Sequence, residues 1–254
     1  MAFIKKSIQI IYCVYALITF IIIMLVALPF VLLSLCFGKI KGGNLIYKVC
    51  KIWAQIWYAV IGIRHQNIYE FPHDASRQYI FVANHISYMD IPPAVITLNQ
   101  PYRVLGKYEM VKYPIFGWIY RAAVVLVDRR SPELRAKSFR ALKAALNQGI
   151  SIFIFPEGTF NETDQPLKEF FDGAFKLAIQ TQTSIKPLLF IDTEKRLHQS
   201  SLFNLTPGLN RVVYLEEVKV EGFTVKDIKA LKQQTFEVME AGLRRYHSSV
   251  LSNK

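Results

Sequence analysis

Residues 79–90 read YIFVANHISYMD, a short apolar run that ends in an asparagine and a histidine. An apolar run of this length between polar residues predicts a buried strand over residues 79–83. Asn84 and His85 then fall at the carboxyl end of that strand, which is where ligands bind in open α/β sheets. Asp90 comes five residues after His85, in a turn that is expected to start a helix.

His85 and Asp90 form a candidate acid–base pair. A neutral imidazole can take a proton from a hydroxyl near neutral pH, and a carboxylate can fix its tautomer and stabilise the imidazolium. A structural alternative is that Asp90 only caps the helix, because Ser87 and Asp90 have the spacing of a capping box. The spacing alone leaves both interpretations open.

Strand signals alternate with helix signals after this segment. Further strands are predicted at residues 103–105, 123–127, 150–155, 185–191 and 212–215. Helices are predicted from the N-cap Ser131 to about Gly149, and from the capping-box residue Thr224 to about Tyr246. Strands that alternate with helices predict an α/β domain over residues 66–254, with a mostly parallel sheet flanked by helices.

The N-terminal region, residues 1–65, is predicted to be a membrane anchor. No residue in 7–38 carries a formal charge. A helix needs roughly 20 apolar residues to cross the hydrocarbon core, which residues 8–28 supply, and Pro29 is expected to kink or end it. A secretory signal peptide is the alternative, but its apolar core is usually about 7–15 residues. A retained membrane helix is therefore favoured.

A second helix is predicted over residues 44–61. Its polar positions Asn44, Lys48, Lys51 and Gln55 recur at helical spacing, and tryptophans lie on the other face. Such a helix suits the plane of a membrane interface, where it would complete a two-helix anchor; packing on the globular domain is the alternative. Lysines after the apolar stretch outnumber those before it, which places the α/β domain on the cytoplasmic face.

The net charge of +12 indicates an anionic partner. Each Lys or Arg near anionic headgroups contributes about 1 kcal/mol, so a lipid surface explains the charge more simply than nucleic acid, for which no motif is present. Cys13, Cys36 and Cys50 all lie in the apolar N-terminal region without metal-ligand spacing. No metal site is therefore expected.

Residues 150–159 read ISIFIFPEGT, a fully apolar run that ends in a polar turn. The run predicts a buried central strand. Pro156 and Gly158 bracket Glu157 in a tight turn whose backbone N–H groups can point at an anion or oxyanion. An ordinary turn is the alternative interpretation.

Together these segments resemble the glycerolipid acyltransferase family, typified by 1-acylglycerol-3-phosphate acyltransferases. Asn84, His85 and Asp90 match its Asn-His-x-x-x-x-Asp motif, and residues 155–159 match the start of its Phe-Pro-Glu-Gly-Thr-Arg motif. Three further segments match other family motifs in order, at residues 106–118, 127–129 and 185–188.

The resemblance implies an α/β glycerolipid acyltransferase fold and transfer of a fatty acyl chain from acyl-CoA or acyl carrier protein to a lysolipid hydroxyl. The simplest acceptor is 1-acyl-sn-glycerol-3-phosphate, which gives phosphatidic acid. His85 is then the general base and Asp90 its partner, with no covalent intermediate and no cofactor. The residues that the resemblance assigns to substrate binding are Asn84, Lys107, Arg129, Glu157, Gly158 and Thr159.

Phe160 departs from the family pattern, which has an arginine here that grips the acceptor phosphate. A guanidinium fork suits phosphate in a way that a phenyl ring cannot. The lost charge could come from another basic residue, namely Lys107, Arg129, Arg130, Lys168 or Lys176. Two alternatives stay open, a different acceptor (a lysophospholipid or a lyso-aminolipid) and a non-catalytic lipid-binding membrane protein.

Overall fold

The computed structural model describes residues 2–127 and 131–251, with side chains described for residues 4–127 and 131–246. The α-helices within these ranges are α1 (Ala2–Leu35), α2 (Gly43–Val60), α3 (Ile91–Ile96), α4 (Phe116–Ala123), α5 (Pro132–Leu146), α6 (Gly173–Thr181), α7 (Thr193–Arg196) and α8 (Ile228–Leu251). The strands are β1 (Ile63–Tyr69), β2 (Ile80–Ala83), β3 (Tyr102–Lys107), β4 (Val124–Val127), β5 (Ser151–Ile154), β6 (Ile185–Phe190) and β7 (Gly208–Tyr214).

These seven strands form one sheet in the order β1-β7-β6-β2-β5-β3-β4. Every neighbouring pair is parallel except β6 and β7. The prediction of an α/β fold with a mostly parallel sheet is thus confirmed. β1 was missed by sequence, because its residues IRHQNIY carry too few apolar side chains for a strand pattern and it pairs as an edge strand with β7 alone.

The two faces of the sheet bury different helices. Ile80 and Val82 of β2 point into a core shared with α5, α6 and α8, whereas Phe81 and Ala83 point into a core with α2 and α3. This alternation follows from the two-residue period of a strand. Because β2 lies between β5 and β6, the residues that follow these three strands meet at one edge of the sheet.

The first helix is longer than predicted, since α1 continues through Pro29 to Leu35. Proline removes one backbone hydrogen bond from a helix and usually kinks or ends it. Here Ala27 and Val31, on either side of the proline, are both buried against neighbouring helices. That packing stabilises the helix at the position where the proline removes a hydrogen bond. Among the described residues, Ile4–Leu35 is the one stretch long and apolar enough to cross a membrane.

Helix α2 runs back along α1, and its tryptophans face inward. The Trp57 indole donates to the carbonyl of Ala16 at 2.9 Å, and the rings of Trp53 and Phe20 are 4.7 Å apart. Both tryptophans are 8% exposed. The second helix therefore exists where it was predicted, but its role in a two-helix anchor is not confirmed, because the face expected at the lipid packs within the protein.

Arg103 of β3 ties the helical pair to the sheet. Its guanidinium donates to Asn44 Oδ1 at 2.9 Å and to the carbonyls of Lys39 and Ile40 at 3.3 and 3.2 Å. These carbonyls belong to the π-helical turn Gly38–Gly42 between α1 and α2, where the carbonyl of Ile40 also accepts from the nitrogen of Gly43. Arg103 is 8% exposed, so a buried cation fixes the hairpin against the α/β domain.

Candidate active site

His85 and Asp90 are in direct contact. His85 Nδ1 lies 2.8 Å from Asp90 Oδ2, and the carboxylate is fully buried while the imidazole is 14% exposed. A carboxylate at Nδ1 holds the proton on that nitrogen and leaves Nε2 with a lone pair. The imidazole also borders a large cavity. The pair therefore has the orientation of a general base with its supporting acid.

The capping box that competed with this interpretation is also present. Asp90 Oδ2 accepts from the backbone nitrogens of Ile86 and Ser87 at 2.8 Å each, and Ser87 Oγ accepts from the nitrogen of Met89. One carboxylate oxygen thus caps the turn and holds His85 at once. The two interpretations of the sequence are compatible, because capping is what fixes the carboxylate under the imidazole.

Glu157, which follows β5, joins the two loops at this edge. Its Oε1 accepts from the backbone nitrogen of His85 at 2.8 Å, and its Oε2 accepts from the backbone nitrogen of Lys168 at 2.9 Å. The side chain is fully buried. Burial raises the pKa of Glu157 to about 7, against the lowering effect of the hydrogen bonds from Lys168 and His85; nearby Asp90 raises it further.

The turn after β5 is closed by its own backbone. The nitrogen of Gly158 donates to the carbonyl of Phe155 at 3.1 Å, and Gly158 has a φ of +73°, which favours glycine. This nitrogen is therefore engaged within the turn. Thr159 is exposed, and its hydroxyl accepts from Lys168 Nζ at 2.8 Å. A cation thus stands next to Thr159, the residue before Phe160.

Two phenylalanines enclose the imidazole of His85. The Phe155 ring stacks on it with centroids 4.0 Å apart, and the Phe160 ring meets it edge-on at 4.4 Å. Phe160 also contacts Tyr88 edge-on at 4.8 Å. The residue that departs from the family pattern therefore lies directly on the candidate base.

The remaining predicted site residues are distributed as follows. Asn84 is buried, and its amide exchanges two hydrogen bonds with the backbone of Phe190, at 3.0 and 2.8 Å, so it joins the ends of β2 and β6. Lys107 is exposed at the end of β3 and borders the same cavity as His85. Arg129 lies outside the described residues.

The cavity beside His85 has a volume of about 630 Å³. It extends between the sheet and helices α2, α3 and α4, and most of its lining is apolar. Representative lining residues are Trp53, Val104, Met110, Phe116, Ile119 and Val124. Ligand pockets of drug-sized molecules are about 300–1,000 Å³, so the space suits a long apolar chain.

Sequence reasoning did not single out two contributors to this site. Phe190 holds Asn84 from a strand 106 positions later, and Phe155 was noted as a motif position but not as a partner of His85. Lys168 was one of five candidate cations. No local signal distinguishes it from the others, because its place depends on the fold of the loop that follows β5.

Comparison with known proteins identifies the family. A family model described as Acyltransferase matches residues 62–191, which is about half of the chain. The chain belongs to this acyltransferase family. The matched residues include the His85–Asp90 pair and the Glu157 turn.

Curated relatives of the chain support the family assignment. It is 29% identical over 195 residues to the chloroplastic 1-acyl-sn-glycerol-3-phosphate acyltransferase LPAT1 of Arabidopsis thaliana, covering 76% of this chain and 53% of the relative. It is 33% identical over 171 residues to an uncharacterized acyltransferase of Schizosaccharomyces pombe, covering 65% and 60%. The chain therefore spans between half and two thirds of the length of these relatives.

The fold has a solved counterpart. The crystal structure of a 1-acyl-sn-glycerophosphate (LPA) acyltransferase, PlsC, from Thermotoga maritima superposes with a TM-score of 0.73 at 22% sequence identity. The match covers 96% of this chain and 97% of the other chain. The architecture is thus shared along almost the whole chain.

Proposed function

We propose that the chain is a membrane-bound enzyme that transfers a fatty acyl chain from a thioester donor to the free hydroxyl of a lysolipid. The observation that carries the proposal is the His85–Asp90 pair at the wall of an apolar cavity. The named relatives favour 1-acyl-sn-glycerol-3-phosphate as the acceptor and phosphatidic acid as the product. The donor is acyl-CoA or acyl carrier protein, and the partner surface is the membrane, with the catalytic domain on its cytoplasmic face.

In the proposed reaction, His85 Nε2 takes the proton of the acceptor hydroxyl while the oxygen attacks the thioester carbonyl. Asp90 stabilises the imidazolium that forms. The tetrahedral intermediate then expels the thiolate. The thiolate takes from His85 the proton that came from the acceptor hydroxyl, and it leaves as the free thiol. The ester bond forms as the thioester bond breaks, so no acyl-enzyme is required.

The apolar cavity is the proposed site of the donor's acyl chain. The cavity is lined by His85 and by apolar side chains of α2 and α4. A fatty chain there would bury its methylenes, each worth about 0.8 kcal/mol, while its carbonyl carbon stays beside the base. Asn84 would act indirectly, because its amide is engaged with Phe190 and holds the strand end that carries His85.

Lys168 is the proposed contact for the acceptor's phosphate. Glu157 binds the backbone of both Lys168 and His85, so the cation and the base are held on one buried carboxylate. Lys176, by contrast, lies over the Phe139 ring on the face with α5 and α6. An ammonium at Thr159 would replace, as a point charge, the guanidinium that Phe160 does not provide.

The proposal is tested with purified protein, a thioester donor and a panel of lysolipids. The panel holds 1-acyl-sn-glycerol-3-phosphate, a lysophospholipid with a larger headgroup, a lyso-aminolipid and monoacylglycerol. Release of free thiol that depends on an acceptor supports an enzyme, and the acceptor with the highest kcat/KM identifies the substrate. Parallel assays with acyl-CoA and acyl carrier protein determine the donor.

His85→Ala is expected to abolish thiol release, and His198→Ala is the matched control because this exposed histidine contacts Ser200 away from the cavity. Retention of activity in His85→Ala would contradict the assignment of the base. If no acceptor releases thiol with the unaltered protein, yet lysolipid binds, the chain is instead a lipid-binding protein.

A further inference from the structure

An exposed aromatic segment lies beside the membrane helix. We call residues 108–118 the aromatic loop, which connects β3 to α4 and enters its first turn. Tyr108, Tyr113 and Trp118 are 42%, 50% and 61% exposed, whereas Trp53 and Trp57, the chain's other tryptophans, are buried. Exposed apolar patches of this kind mark sites that contact a membrane or another molecule.

The backbone of the loop is packed closely against itself. Ile115 has a φ of 62°, which is strained for a β-branched residue. Gly117 lies so close to the backbone of Val111 that a Cβ there would collide with the Val111 carbonyl. The nitrogen of Gly117 also donates to the carbonyl of Tyr113 at 2.7 Å. The chain thus folds tightly back on itself and carries Trp118 outward, while Tyr113 stays half exposed.

The aromatic loop is continuous with the apolar surface of α1. Ile119, next to Trp118, is buried against Met24, Ala27 and Val31 of α1. On the same stretch of α1, Phe30 is 58% exposed. The loop therefore lies against α1, on a stretch of that helix that also exposes a large apolar side chain.

Basic side chains accompany the aromatic rings. Lys112 Nζ lies 5.9 Å from the centroid of the Tyr113 ring, and Arg121, in the last turn of α4, is exposed. Tryptophan and tyrosine concentrate at the level of lipid headgroups, and lysine and arginine there attract anionic lipid. The combination has the chemistry of the membrane–water interface.

The inner side of the same segment walls the cavity that contains His85. Met110, Tyr113 and Phe116 line that cavity together with Phe20 of α1 and Trp53 of α2. Trp118, Lys112 and Tyr108 are not among its lining residues. One side of the segment therefore faces the candidate chain-binding space, while the other faces outward next to the membrane helix.

We propose that the aromatic loop is a second membrane-contacting element, seated in the headgroup region of an anionic bilayer beside α1. This inference rests on the proposed membrane placement of the enzyme. It gives the cavity a lateral entrance at the membrane, between the aromatic loop and the α1–α2 pair. An apolar chain then passes from the bilayer to His85 without crossing water, which avoids exposing its methylenes.

The first test places Trp118 by fluorescence in the full chain, reconstituted in anionic vesicles. Subtracting the emission of Trp118→Phe from that of the unaltered protein isolates Trp118. Lipids with bromine on the acyl chain near the headgroup are expected to quench this difference emission, and aqueous iodide is expected to leave it unchanged. Quenching by iodide without quenching by the brominated lipid would overturn the proposal.

The second test separates the membrane role from catalysis. In anionic vesicles at low salt, Lys112→Ser should lower the rate by roughly fivefold, the effect of losing about 1 kcal/mol of headgroup attraction. Trp118→Ser should lower it too. Both variants should equal the unaltered protein in detergent micelles, and Val225→Ser, which changes an exposed apolar residue before α8, should be unaffected in either medium.

Equal rates for all variants in vesicles would refute the lateral entrance. A loss of activity in micelles as well as vesicles would also count against it, because the loop would then act on the chemistry or the fold. If the unaltered protein shows no activity in either medium, the proposed function fails, and the fluorescence result still decides the membrane contact.

Discussion

Asp90→Asn provides the sharpest test of the His85–Asp90 pair, because it separates the charge of the carboxylate from its shape. The buried Asp90 Oδ2 accepts three hydrogen bonds at 2.8 Å, from His85 Nδ1 and the backbone nitrogens of Ile86 and Ser87. Asparagine keeps one oxygen that can still cap the turn. It removes the negative charge that would stabilise an imidazolium.

The structure allows the size of each effect to be estimated. A hydrogen bond to a charged group contributes about 1.5–3 kcal/mol and a neutral one about 0.5–1.5 kcal/mol, so three weakened bonds lower stability by about 3 kcal/mol. General-base catalysis is worth roughly 10²- to 10⁴-fold in rate, and most of that factor should be lost. Asp90→Ala would also leave two backbone donors unsatisfied, at about 1–3 kcal/mol each, so it is the poorer test of chemistry.

The assay measures thiol release from the donor with the best acceptor of the lysolipid panel, alongside urea unfolding of the same preparation in detergent. The expected result for Asp90→Asn is a folded protein whose kcat has fallen by at least two orders of magnitude. His198→Ala, an exposed histidine variant, should retain full activity. Turnover of Asp90→Asn close to that of the unaltered protein would refute the reasoning, since Asp90 would then serve only as a cap.

Two further predictions concern the carboxylate and the cation beside this pair. Burial raises the pKa of Glu157 from 4.5 to about 7. The protonated side chain therefore contributes fully to the free energy of unfolding below pH 4.5. That contribution, about 3 kcal/mol, is lost as the pH rises to about 7. Glu157→Gln should remove this dependence of the free energy of unfolding on pH, as measured by urea unfolding. The same pH dependence in the variant would show that Glu157 is not its source. Lys168→Ala should raise the KM for 1-acyl-sn-glycerol-3-phosphate and leave that for monoacylglycerol unchanged, while Lys176→Ala should alter neither; equal effects of the two variants would exclude Lys168 as the phosphate contact.

The sequence predicted much of the fold because the relevant signals are local. Apolar runs such as residues 150–155 predict buried strands wherever they occur, and Ser131 begins α5 by accepting from the nitrogen of Leu134, as its N-cap position predicts. The long uncharged stretch likewise predicts an apolar helix. Strand β1 was not predicted, because its position is fixed by pairing with β7 rather than by an apolar pattern in its own residues.

The sequence by itself therefore determined the candidate chemistry, a histidine and an aspartate at a strand end in an acyltransferase-like pattern. Tertiary structure decided which residues hold that pair in position. Glu157 reaches His85 across 72 positions of chain, and Phe190 reaches Asn84 across 106. Such contacts depend on the order of β2, β5 and β6 in the sheet, which no local pattern encodes. The cavity beside His85 has the same origin, because its walls come from helices and strands that meet only when the chain is folded.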